Sequence, residues 1–164
     1  MEDRDTIRLL KECDAGSKMA VSSLEDVLER VENKNLKALL SETKEHHEQL
    51  GNEIHSLLVE YGSEEKEPNM MAKGMSKMKT GMKMSMTDNS DETVADLITD
   101  GCNMGIKSLY KYMNQYPGAN SKVKDLCNRL IDIERQLRKE LRQYLYTQPR
   151  MHPSQIPLSL THCL

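Results

Sequence analysis

Apolar residues recur at steps of three and four along four stretches of the chain, the spacing of a helix that buries one face. In the first, Leu10, Cys13, Ser17, Val21, Leu24, Leu28 and Val31 share a side, which predicts a helix from about Asp5 to Val31 with Asp5 or Thr6 as its N-cap. The polar run Glu32-Asn33-Lys34-Asn35 breaks it, and a second stripe follows in Leu36, Leu39, Leu40, Thr43, His47, Leu50, Ile54 and Leu57. Gly62, after Tyr61, has the place of a C′ glycine. A third helix carries Val94, Ile98, Cys102, Gly105, Leu109, Tyr112 and Tyr116 inward and ends at Pro117-Gly118-Ala119-Asn120-Ser121. The fourth, with Val123, Leu126, Leu130, Ile133, Glu134, Leu137, Leu141 and Tyr144, runs to about Tyr146. Links this short force antiparallel neighbours within each pair.

The two pairs read as one hairpin written twice. At an offset of 89 residues, Cys13, Gly16 and Lys18 fall on Cys102, Gly105 and Lys107. At an offset of 87, Leu36, Leu50, Glu53 and Leu58 fall on Val123, Leu137, Glu140 and Leu145. The change of offset lies between the halves, where a length change in a turn costs little. Two hairpins that cannot bury their stripes alone predict an all-α, antiparallel four-helix bundle spanning residues 1–146, with hairpins at 5–62 and 91–146. Gly16 and Gly105, each inside a helix, are expected at close helix contacts, since an interior glycine costs about 1 kcal/mol relative to alanine.

Between the hairpins lies a Met/Lys segment, residues 68–87. Met71, Met75, Met78, Met82 and Met86 align on one side of a helical wheel, with Lys73, Lys77 and Lys83 away from them. The spacing predicts an added amphipathic helix that packs on the bundle or on a second subunit. Met82-x-Met84-x-Met86 also has the form of a thioether copper(I) motif, but the stripe is accounted for by packing. Residues 147–164 hold Pro149, Pro153 and Pro157 and no periodic core, which reads as a flexible tail. Its Ile156, Leu158 and Leu160 alternate, as in a short peptide that docks on a partner.

Composition narrows the reading. The core must be aliphatic and Met-based, because the 164 residues include 12 Met but no Phe or Trp. A net charge of −3 with both signs interspersed gives no field to hold a polyanion, so nucleic acid is not expected as a partner. No apolar run reaches the length of a span or a signal peptide, so a cytoplasmic protein is expected and a membrane is not. Four scattered cysteines argue for reduced thiols rather than a disulfide framework. The partner expected is a second copy of the chain or another protein.

Two polar residues stand out on the inner stripes. His47 lies within about 40° of the centre of the second stripe, and Glu134 holds the matching place on the fourth. Burying either alone would cost several kcal/mol, so they are expected to be paired, metal-bound or wetted. Cys13 and Cys102 also point inward, and thiolate with imidazole suits zinc, copper or iron. The candidate metal set is therefore His47, Glu134, Cys13 and Cys102. There is no phosphate loop, nucleophile elbow or Ser-His-Asp arrangement.

The segments Leu9-Leu10-Lys11-Glu12-Cys13-Asp14-Ala15-Gly16, Glu45-His46-His47-Glu48-Gln49-Leu50-Gly51 and Asp100-Gly101-Cys102-Asn103-Met104-Gly105 together resemble a ferritin-like bacterial family of unknown function, best represented in anaerobic Firmicutes. The resemblance covers about Asp5 to Leu145. It implies a ferritin-like bundle of two helical hairpins and brings no established activity. Di-iron members of the wider superfamily use Glu on two helices and Glu-x-x-His on the other two. Here Thr43 and Lys44 stand three residues before His46 and His47, Ile131 stands three before Glu134, and helix 1 turns Cys13 and Ser17 inward. The expectation is a non-catalytic binding or structural module. The alternative is a metal-binding bundle, with iron, manganese, zinc or copper, that is redox-active through the His/Glu/Cys layer.

Overall fold

A computed structural model describes residues 2–63 and 90–146. They form four α-helices and no strand: α1 (Glu2–Leu28), α2 (Lys34–Glu60), α3 (Ser90–Gln115) and α4 (Ser121–Leu141), the last continued by a 3-10 turn at Arg142–Tyr144. Asn33 and Asn120 cap α2 and α4. The Asn33 side chain accepts from the Asn35 and Leu36 N–H groups and that of Asn120 from Val123, so each satisfies donors left open by the first turn. After α2 and its C-cap Tyr61 comes Gly62, whose φ of 61° suits a residue without Cβ.

The expected N-caps Asp5 and Thr6 do not cap α1, which starts earlier, at Glu2. They lie in its first turn and reach another segment instead. Asp5 Oδ2 accepts from Gly118 N at 2.9 Å and Thr6 Oγ1 from Asn120 N at 3.0 Å. Asn120 Nδ2 in turn donates to Tyr61 Oη at 2.8 Å. One end of the bundle thus gathers the start of α1, the end of α2 and the α3–α4 turn. At the other end Asp91, in the first turn of α3, accepts from Glu32 N and Asn33 N at 2.8 and 3.0 Å. Each hairpin's turn is held by an aspartate from the first helical turn of the other.

These links fix the directions. α1 and α4 run one way and α2 and α3 the other, so the chain between Ser63 and Ser90 returns from one end of the bundle to the opposite end. α1 packs on α2 and α3, and α4 on α3 and α2, every such pair antiparallel; α1 and α4 also touch across the centre. The expected Met/Lys helix at 68–87, with Met71, Met75, Met78 and Met82, and the expected tail with Ile156, Leu158 and Leu160 fall outside the described residues.

The core is divided. One apolar cluster, at the Asp5 end, is built on Leu9, Leu10, Cys13, Leu50, Ile54, Leu58, Leu126, Cys127, Leu130 and Ile131. The other, at the Asp91 end, holds Leu24, Val27, Leu36, Leu40, Val94, Ile98, Cys102, Leu137 and Leu141. The buried polar side chains Asp14, Ser17, Thr43, His47 and Glu134 lie on the helix turns between the two. Most of the predicted stripe residues are buried, while Val21, Leu28, Leu39, Gly105, Tyr112, Tyr116, Ile133 and Tyr144 are only half-buried, and Leu9 and Val27 are among the buried residues the periodicity did not assign.

Candidate functional site: an interior polar layer and its outer groove

His47 and Glu134 meet. His47 Nε2 lies 3.1 Å from Glu134 Oε1, and the imidazole is 2% exposed. The approach is oblique: close enough for a charge contact, not aligned for a hydrogen bond, and Nδ1 on the other side of the ring has no partner among the described residues. Backbone and side chains hold the layer in place. Ser17 Oγ donates to the His47 carbonyl at 2.8 Å across the α1–α2 seam, and Thr43 Oγ1 donates to Leu39 O at 2.8 Å.

Cys102 also interacts with the Glu134 carboxylate. Burial pushes its thiol far above the usual range, and the negative charge and hydrogen bond of Glu134 push it further. The order His47, Glu134, Cys102 matters chemically. A thiol is activated by a neighbouring imidazole or cation; Arg138 acts in that direction here, but burial and the Glu134 carboxylate outweigh it and hold the proton on. The arrangement does not make a nucleophile.

Cys13 does not join this layer. It sits in the other cluster, where its thiol shares a hydrogen bond with Cys127; that bond and burial hold its pKa well above the ordinary value. Cys127 Sγ reaches Leu109 O at 3.8 Å. The candidate metal set His47, Glu134, Cys13 and Cys102 is therefore split between two levels of the bundle. Among the described residues no group of three or more His, Cys, Asp or Glu could hold a metal ion. The physical reason is register: equal spacing along two helices says nothing of which layers they bring together.

The expected glycine contacts also divide. A Cβ on Gly105 would meet the Glu134 side chain at 3.6 Å, in ordinary contact. Gly16 is exposed, and a Cβ there would meet nothing within 4 Å, so the predicted contact is not made. Instead the close approach in the first hairpin falls at Gly51, where a Cβ would come within 3.2 Å of Ser17 Oγ. Gly51 stands four residues after His47 on the same side of the helix, a spacing legible in the sequence, whereas the duplication points to Gly16.

Outside Gly51 the α1–α2 seam opens into a groove of about 530 Å³. Asp14, Ser17 and His47 form its buried floor, and Lys18, Glu48 and Asn52 are among its walls. The Asp14 carboxylate, 2% exposed, is paired with Lys18 Nζ at 3.1 Å. Lys44 bridges Glu25 and Glu48 at 3.2 and 3.4 Å nearby. No sequence motif announced this groove, because it depends on the absence of a side chain at one position.

A bundle with this layer matches known proteins at the level of family and fold. Residues 5–115 match the family described as a domain of unknown function, DUF2383, and the chain belongs to that family. No curated protein matches the sequence. Among solved structures, the crystal structure of a DUF305 fragment from Deinococcus radiodurans is similar, with a TM-score of 0.69 at 12% identity. The match covers 86% of this chain and 95% of that one, and at such identity it speaks for the fold alone. No described helix is long and apolar enough to cross a membrane.

Proposed function

We propose that the chain is a ferritin-like bundle acting as a non-catalytic binding module, with the His47–Glu134 pair as an interior structural lock between its hairpins. The observation that carries this reading is how the reactive side chains are committed. His47 faces Glu134, Glu134 lies against Cys102, and Cys13 is bonded to Cys127. Among the described residues, a groove on the outside of the first hairpin is open to solvent molecules. The ferritin-like assignment is supported by one long return between two antiparallel hairpins and by the matched caps Asn33 and Asn120. A protein partner, including a second copy of the chain, belongs to the same reading: Val59 and Met104 stand 62% and 64% exposed, apolar groups that a partner would cover.

Elemental analysis of protein made in iron- and zinc-replete medium and purified without an affinity tag tests the reading. The expected result is no stoichiometric metal and no change in metal content in His47→Ala. Near-stoichiometric iron, manganese, zinc or copper, lost in that variant, would overturn it in favour of the metal-binding bundle. Light scattering gives the mass in solution and tests self-association separately.

A further inference from the structure

The two seams of the bundle use matching positions and finish them differently. At an offset of 87 residues Gly51 of α2 answers to Arg138 of α4, and at 89 Asp14 of α1 answers to Asn103 of α3. In the α3–α4 seam Arg138 Nη1 donates to Asn103 Oδ1 at 2.8 Å, so a guanidinium lies over the seam on an amide acceptor. In the α1–α2 seam the arginine is replaced by glycine and the amide by a carboxylate. The space left is the groove of about 530 Å³, lined by Asp14, Gly51 and Asn52 and floored in part by His47. Such a volume suits a small molecule. The His47 ring, 2% exposed, adds a second mark of a ligand site, since its Nδ1 has no partner among the described residues.

We propose that this groove binds a small guanidinium compound, which lays its planar cation over Gly51 and against the Asp14 carboxylate, where the second hairpin carries its own Arg138. Replacing Asn by Asp at the acceptor turns a guanidinium's bond to a neutral amide into an ion pair that can be bidentate. Glu48 and Asn52 on the wall offer oxygen acceptors for the outward N–H groups. Lys18 now holds Asp14 at 3.1 Å, and its side chain is 34% exposed. Its flexible stem lets it swing outward as a ligand with a better-matched fork takes the carboxylate. The carboxylates Asp14, Glu25 and Glu48 outnumber the lysines Lys18 and Lys44 that pair with them, which favours a cation over an anion in the groove.

The inference rests on the reading of the chain as a binding module, and its failure is seen separately from that reading's, which metal content decides. The test is a titration of the full chain with agmatine, followed by amide chemical shifts, with spermidine as a cation of ammonium type. The expected result is a saturable shift of amides around Asp14–Ser22 and Gly51–His55, tighter for agmatine than for spermidine. G51R, which supplies its own guanidinium, should abolish the response while keeping the helical spectrum. D14N should weaken it about tenfold or more. The Cβ added in G51R comes 3.2 Å from Ser17 Oγ and asks the seam to give by a few tenths of an ångström. Should that variant not fold, D14N, which copies the second hairpin's own residue, carries the test. No seam response to agmatine, an undiminished response in D14N, or spermidine binding as tightly as agmatine would each overturn the proposal.

Discussion

The α1–α2 seam and the α3–α4 seam are built from helices of similar length with the same type of cap, yet one is open and the other closed. The closed seam is covered by Arg138 on Asn103 and by Arg135, whose guanidinium lies 5.6 Å from the Tyr110 ring centre. The open seam has Gly51 where Arg138 stands, and its polar groups, Asp14, Ser17 and His47, are buried beneath a groove. The comparison teaches that helix periodicity sets which residues face a seam, whereas single side chains beside it decide whether solvent enters. Beside the groove the two hairpins meet in a buried polar contact, His47 with Glu134.

Removing that contact should have the largest effect. Glu134→Ala leaves a buried imidazole without its polar neighbour and is expected to cost about 3 kcal/mol, read from denaturant unfolding, while the H47L/E134L double variant should recover most of the loss. A double variant as unstable as the single one would mean that the layer acts by shape rather than by charge. Next comes the closed seam itself: Arg138→Gly should open it and lower stability by about 2 kcal/mol, from helix propensity and the lost bond to Asn103. If the variant melts like the parent, the arginine is an ornament and the seams are not distinguished by it.

A pH titration of stability probes the thiols that flank the layer. Cys102 keeps its proton in the folded chain far above the ordinary value, because it is buried and faces Glu134. The unfolded chain releases that proton at about pH 8.5, so stability is fully present below this pH and falls as pH rises, by up to about 1.4 kcal/mol per unit for this thiol. Cys13, raised by its bond with Cys127 and by burial, acts in the same direction, and Cys127, lowered by the same bond, opposes it. In Cys102→Ala the alkaline slope should become shallower; an unchanged slope would show that the thiol is not held neutral.

Smaller effects sharpen the contrast between glycines. Gly16→Ala adds a Cβ to open space and should stabilise α1 by up to about 1 kcal/mol in thermal melting, while Gly51→Ala should gain less because Ser17 must yield. Equal gains would show that the seam at Gly51 is looser than 3.2 Å implies. Smallest is the link between α2 and α4 at the surface, where Arg129 makes two 2.7 Å hydrogen bonds to Glu53. These bonds hold Glu53 below its usual range, so their contribution is present at neutral pH and is lost as pH falls through the lowered value. With both side chains about half exposed, Glu53→Gln is expected to cost about 0.5 kcal/mol, and a loss above about 2 kcal/mol would place the pair among the core interactions instead.

The four helices, their turns, the glycine after α2 and the inward placing of His47 and Glu134 were all legible in the order of residues. Periodicity, caps and turn residues act over a few positions, and their physics is complete within a segment. That the imidazole would meet that carboxylate was one of three outcomes the sequence left open, and the approach of α2 and α4 selected it. Cys13 and Cys102 matched in sequence but landed in different clusters, one beside Cys127 and the other beside Glu134. Gly16 and Gly105 matched likewise, and only Gly105 found a neighbour. A stripe fixes the direction of a side chain around its own helix but not the height at which another helix passes, since sliding and tilting two packed helices leaves both stripes inward. That height is set by contacts far apart in the chain, such as Asp5 with Gly118 and Asp91 with the α1–α2 turn. They decide what shares a layer, and so which seam closes and which stays open.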